Sequence, residues 1–144
     1  MHIRNFVPTD LGAVMRLVAE TFKQDYSPSM YLTLHAQWPD GFLVASEEGV
    51  LTGLLLGTRA SPDEARILIM ATKKELRYKG VGSSLLNTFF ERCGWEGICS
   101  VVLEVRTSNT IAQEFYTKRG FQVVSLLERY YLDGEDGIMM TNWI

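Results

Sequence analysis

The residues of this chain best suited to chemistry fall into two groups. The first is Arg77-Tyr78-Lys79-Gly80-Val81-Gly82-Ser83, a basic, glycine-bearing loop that leads into a run with helical periodicity. A helix N-terminus leaves amide N–H groups unpaired and carries partial positive charge, and glycine lets an anion approach closely. Arg77 and Lys79 add full charges, so the natural guest of such a loop carries a pyrophosphate rather than a lone carboxylate. Gly-x-Gly also occurs where a strand merely turns tightly into a helix, and spacing alone leaves both readings open. The second group centres on Glu104. In residues 98–106, Val101, Leu103 and Val105 point one way while Val102, Glu104 and Arg106 point the other. A carboxylate inside an apolar strand is costly to bury unpaired, so Glu104 is either functional or reaches water or Arg106.

Other phosphate loops fit less well. A Walker loop requires Gly-Lys-Ser/Thr after a four-residue gap, which the chain does not supply. The dinucleotide fingerprint needs a third glycine where Leu85 stands, and too little chain follows for the repeated βαβ units it opens.

Several elements must position these groups. Ile67-Leu68-Ile69-Met70-Ala71 is a short apolar run that predicts a strand covered on both faces. Val81, Leu85, Phe89 and Cys93 fall four apart and predict the helix behind the loop. Upstream, residues 2–6 suit a first strand, and Pro8-Thr9-Asp10 starts a helix that Gln24-Asp25-Tyr26-Ser27-Pro28 breaks. A second helix over 29–38 and strands over 42–46 and 51–58 follow, the strands forming a hairpin about Glu47-Glu48-Gly49. Downstream, Asn109 caps a helix that ends at Gly120, and residues 121–127 and 137–143 make a final hairpin. The order is βααβββαβαββ, a mixed sheet with helices on its faces.

At 144 residues the chain suits one domain with a real core, and 47% hydrophobic against 22% charged residues is a globular balance. A net charge of −3 argues against a general nucleic-acid surface. No apolar run approaches membrane-spanning length. With only His2 and His35, a histidine metal site is not expected. Cys93 and Cys99, without a signal peptide, fit free thiols in a reducing cytoplasm.

Arg77-Tyr78-Lys79-Gly80-Val81-Gly82 resembles, position by position, the Arg/Gln-x-x-Gly-x-Gly/Ala acyl-CoA loop of the GNAT superfamily. Leu103-Glu104-Val105-Arg106-x-Ser108-Asn109, followed by Ala112, Phe115-Tyr116 and Gly120-Phe121, resembles that family's second hallmark block, so the likeness spans essentially the whole chain. Within the superfamily, Tyr130-Tyr131-Leu132-Asp133-Gly134-Glu135-Asp136, with Met139-Met140 beyond, resembles the protein N-terminal acetyltransferases, nearest the bacterial and archaeal enzymes that acetylate ribosomal-protein N-termini. One departure is Thr72-Lys73-Lys74 in place of the common Val-x-Pro, which leaves the loop basic and less rigid.

The resemblance implies a single GNAT domain over residues 1–144, α/β (α+β), with a mixed, mostly antiparallel sheet of about seven strands flanked by about four helices. It implies an N-acetyltransferase that moves the acetyl group of acetyl-CoA directly to a primary amine, foremost the α-amine of a protein or peptide N-terminus. A small-molecule amine, a lysine side chain, or a non-catalytic acyl-CoA sensor are the alternatives. Monomer or homodimer, with no membrane or nucleic-acid partner, is the expected state. The thioester would lie along Met70, Ala71 and Thr72, whose strand N–H groups can polarise its carbonyl. The pyrophosphate falls to Arg77, Tyr78, Lys79, Gly80, Val81, Gly82 and Ser83, and the cofactor arm to Asn109. Glu104 becomes the general base, directly or through water. Tyr116 becomes the donor to the departing thiolate, the alternative being a hydroxyl merely satisfied at the helix surface. Tyr26, Tyr31, Tyr130 and Tyr131 would flank the acceptor, although such aromatics are packing residues by default.

Overall fold

The computed structural model describes residues 1–22 and 26–144. Gln24 and Asp25, in the stretch expected to end the first helix, lie outside the described residues. The strands are β1 (His2–Asn5), β2 (Phe42–Glu47), β3 (Val50–Ser61), β4 (Glu64–Thr72), β5 (Ser100–Arg106), β6 (Gln122–Leu127) and β7 (Gly137–Trp143), and the helices are α1 (Leu11–Thr21), α2 (Pro28–Gln37), α3 (Val81–Trp95) and α4 (Thr110–Thr117). The expected order holds. Boundaries differ locally: Pro8–Asp10 is a 3-10 turn preceding α1, and α3 continues through Gly94 to Trp95.

The strands form one sheet in the order β1-β2-β3-β4-β5-β7-β6. Every neighbouring pair is antiparallel except β4 and β5. α3 covers one face because Val81, Leu85, Leu86, Phe89 and Cys93 share a side and are buried against Leu43, Leu55, Val101, Leu103, Val105 and Met140. α1 and α2 cover the other face over β2 to β4, where Val14, Leu17, Val18 and Tyr31 meet Phe42, Val44, Leu54, Leu56, Ile69 and Ala71. Both cysteines are free. Burial, with Glu96 nearby, pushes the Cys93 thiol up to about 12, while Cys99 is exposed.

Two irregularities in β4 position the site. Leu56 stands opposite Ile69 but Gly57 opposite Ile67, so Leu68 is an extra residue in the strand. The bulge reverses the facing: Ile67 joins the α3-side core, Ile69 and Ala71 the α1 side, and Leu68 is left 43% exposed. The expectation of a strand covered on both faces therefore holds for its neighbours but not for Leu68. Second, β4 and β5 pair only where Glu64, Ala65 and Arg66 face Ser100, Val101 and Val102. Beyond that point the parallel strands part, although β4 runs on to Thr72 and β5 to Arg106. A bulge bends its strand and increases local twist, and Leu68 sits just beyond the last β4–β5 pair.

Candidate active site

The parting of β4 and β5 opens a wedge at the carboxyl ends of two parallel strands, where α/β sheets bind ligands. Along residues 67–72, β4 has a strand partner on one side only, so backbone groups pointing into the wedge are free for a ligand. Met70 is half-buried on the α3 side, Ala71 is buried on the α1 side, and Thr72 is half-buried at the rim. The loop beyond carries the lysines that replace Val-x-Pro. It is tied by Lys73 N–H donating to the Thr52 carbonyl (2.9 Å) and by a 3-10 turn over Lys74–Leu76.

Glu104 sits at the apex of the wedge. Its side chain is 11% exposed and accepts a hydrogen bond from Nη1 of Arg66, the last β4 residue paired to β5. Sequence reasoning named Arg106 as the pairing candidate, because it shares a strand face with Glu104. The structure corrects this, since Arg106 is taken by Asp133 and Glu135, both at 2.8 Å. No local signal identifies Arg66, which lies 38 residues away in sequence.

On the opposite face lies the start of α3. Gly80 adopts φ +88° with nothing within 4 Å of a would-be Cβ, so glycine is needed there for its backbone and leaves open space above the turn. The first helical bond runs from Ser84 N–H to the Gly80 carbonyl (3.0 Å), leaving the N–H groups of Val81, Gly82 and Ser83 unused by the helix. No side chain caps this end, and its first turn holds no acidic residue. Tyr78, at φ +67°, is 88% exposed. Gly82 also has a packing role. A Cβ there would lie 3.2 Å and 3.4 Å from Phe115 ring atoms, so Gly82 lets α3 pack on α4 rather than merely clearing a path for an anion. Asn109 uses its amide oxygen to cap α4, accepting from Ala112 N–H at 3.1 Å, which leaves its Nδ2 donors for a ligand.

Tyr116 projects from α4 into the α3-side core, packed edge-on to Phe115 and Phe121. Its ring is buried, and burial pushes its phenol well above the ordinary value. Glu104 and Tyr116 thus lie on opposite faces of the sheet. They can serve one reaction only through the gap where β4 and β5 have parted.

The four tyrosines separate into two roles. Tyr31 is buried in the α1-side core, stacked toward Phe42 and edge-on to Tyr26, so it is a packing residue that supports Tyr26. Tyr26 is half-buried, Tyr130 is exposed, and Tyr131 is half-buried beneath the Arg106 guanidinium, whose carbon is 4.1 Å from the ring centroid. Burial raises the Tyr131 phenol, and the Arg106 charge offsets part of that rise. Arg106 fastens the 128–136 connection. Glu135, bonded to Arg106 and to Ser108 N–H (2.9 Å), is held down to about 2 by its bonds to Ser108 and Arg106.

A profile of the acetyltransferase (GNAT) family matches residues 11–121. The chain is 39% identical over 141 residues to an uncharacterized N-acetyltransferase of Methanocaldococcus jannaschii, covering 97% of this chain and 90% of that protein. It is 32% identical over 144 residues to a putative ribosomal protein bS18-alanine N-acetyltransferase of Bacillus subtilis, covering 99% and 93%. The crystal structure of Ard1 from Thermoplasma volcanium matches with a TM-score of 0.95 at 36% identity, covering 99% of this chain and 97% of that one. The sheet order agrees with these matches, and the chain belongs to the acetyltransferase (GNAT) family.

Proposed function

We propose that this acetyltransferase takes its acetyl group from acetyl-CoA and delivers it to the α-amine at a protein or peptide N-terminus. The observation that carries the reading is the split between β4 and β5, with Glu104 at its apex on one face and the α3 N-terminus on the other. The residues fit the cofactor: free N–H groups on Val81, Gly82 and Ser83, open space above Gly80, and the charges of Arg77 and Lys79 suit a diphosphate. When bound, acetyl-CoA supplies an acetyl group activated as a thioester. Backbone N–H groups of Met70 and Thr72, which point away from β3, polarise the carbonyl, while that of Ala71 faces Leu54 in the β3–β4 ladder. Glu104 takes the amine proton, directly or through water. The raised phenol of Tyr116 stays neutral near neutrality and donates a hydrogen bond to the sulfur instead of giving up its proton outright.

An α-amine with pKa about 7.7–8.0 is roughly a quarter deprotonated near neutrality, whereas a lysine of pKa about 10.4 is about a thousandth deprotonated. One carboxylate at the apex suffices for the easier amine. The Bacillus subtilis relative supports the same acceptor, because alanine has no amine other than its α-amine. The peptide end enters from the Glu104 face, between Tyr26 and the loop bearing Tyr130 and Tyr131. Two peptides of one sequence test the acceptor, one with its N-terminus blocked and a lysine free, the other reversed. Mass spectrometry should find acetyl on the free N-terminus. Faster labelling of the lysine would move the enzyme to the side-chain branch, and no labelling of either would point to a small amine.

A further inference from the structure

The start of α3 holds more positive charge than a helix N-terminus favours by itself. The macrodipole already makes that end positive, so acidic side chains are favoured there and cations are not. α3 has no acid in its first turn and follows Arg77 and Lys79. The fold then brings a third cation from 36 residues away. Arg119, just past α4, is half-buried with its guanidinium carbon 3.7 Å from the Phe115 ring centroid. Nη1 donates to the Phe115 carbonyl (2.9 Å), while Nε (3.1 Å) and Nη2 both donate to Ser83 Oγ in the first turn of α3. The Arg119 carbonyl in turn accepts from Asn142 Nδ2 at 3.0 Å. Among the described residues no carboxylate lies within ion-pair distance of this guanidinium.

Such an arrangement spends side-chain freedom and hydration to hold an unneutralised charge at the positive pole of a helix. An anion on the helix start would reverse the sign of the interaction. The hydroxyl geometry points the same way. Ser83 Oγ accepts from Arg119, so its single proton is left to donate elsewhere. Phe115, the ring beneath Arg119, also packs on Gly82, which joins ring, guanidinium and helix start into one unit.

We propose that Arg119 belongs to the phosphate-binding site of the acyl donor, adding a fixed charge to the anion seated on α3 and aiming the Ser83 hydroxyl at it. This rests on the acetyl-CoA reading above. Arg119→Met keeps an aliphatic stem over Phe115 without the charge, Arg119→Lys keeps charge without the fork, and Ser83→Ala removes only the hydroxyl. Calorimetry with coenzyme A should show Arg119→Met raising Kd by about 10- to 100-fold, as expected for charge-assisted hydrogen bonds, with a shallower salt dependence. Arg119→Lys should retain part of the affinity, and Ser83→Ala should weaken it severalfold. The KM for S-acetylpantetheine, which lacks the diphosphate, should be unchanged in Arg119→Met. Wild-type Kd for coenzyme A in both Arg119→Met and Ser83→Ala would overturn the assignment. Equal weakening of acetyl-CoA and S-acetylpantetheine would also overturn it, since that marks a structural brace. A wild-type protein that does not bind coenzyme A would refute the donor reading and this proposal with it.

Discussion

Glu104→Gln separates the charge at the apex of the wedge from its shape. Glutamine keeps an oxygen for the Arg66 Nη1–H, so the folded state loses only the charge assistance of one hydrogen bond. Hydrogen bonds to charged groups contribute about 1.5–3 kcal/mol and neutral ones about 0.5–1.5 kcal/mol, a difference of about 1 kcal/mol. Solvent reaching the Arg66 side chain, 30% exposed, reduces it further. For a domain of this size that is a fall in Tm of no more than about 5 °C. The catalytic loss is larger. Removing a general base costs about 10²- to 10⁴-fold, equivalent to about 2.7–5.4 kcal/mol of transition-state stabilisation. The two effects can be read apart by measuring kcat/KM for acetyl-CoA and a peptide across neutral to alkaline pH, with a melting curve at each. The loss should be greatest near neutrality and shrink above the α-amine pKa of about 7.7–8.0, where the free amine predominates. Wild-type turnover near neutrality would refute the assignment, as would a melting temperature that collapses in step with the rate. Arg66→Met, combined with Glu104→Gln in a double-mutant cycle, would measure how strongly the pair is coupled.

Three further outcomes follow from the same geometry. Gly82→Val forces Cβ toward Phe115 and should cost about 1–3 kcal/mol in a melting experiment as well as coenzyme A affinity, and pairing it with Phe115→Leu should restore much of the stability. Tyr116→Phe should lower kcat while leaving the coenzyme A Kd and the Tm nearly unchanged, because the aromatic packing against Phe115 and Phe121 survives; an unaltered kcat would remove the phenol from the mechanism. The Glu135 carboxyl, held down to about 2, contributes stability that is fully present above its ordinary value near 4.5 and is lost as pH falls through about 2. Tyr131 ring resonances in NMR should report loosening of the 128–136 connection over that window, and Glu135→Gln should diminish the transition to the share of Asp133, which is also held down by its bonds to the Glu135 N–H and Arg106.

The local layers of this protein were legible in its residues. Four-residue spacing of Val81, Leu85, Phe89 and Cys93 fixes the buried side of α3, and a basic Gly-x-Gly before it fixes where an anion can sit, because both depend on contacts within a turn or two. Strand alternation likewise exposed Glu104 as the polar residue of an apolar strand. What it pairs with was not legible. Arg66 and Arg106 offer the same chemistry, and the choice between them depends on which strand lies beside β5 and where the two separate. The Leu68 bulge escaped notice for a related reason: Ile67-Leu68-Ile69 is uniformly apolar, so a register shift leaves no trace in its pattern, yet it switches the facing of the strand. Tyr31 and Tyr26 look alike in the sequence, and only the packing of α2 against Phe42 buries one and half-exposes the other. Arg119 is one more cation in a polar turn until α4 folds back on α3 and delivers it to Ser83. Periodicity and turn chemistry are short-range and written in order along the chain, whereas a catalytic apex and a charge cluster are set by strand register and helix docking between residues tens of positions apart.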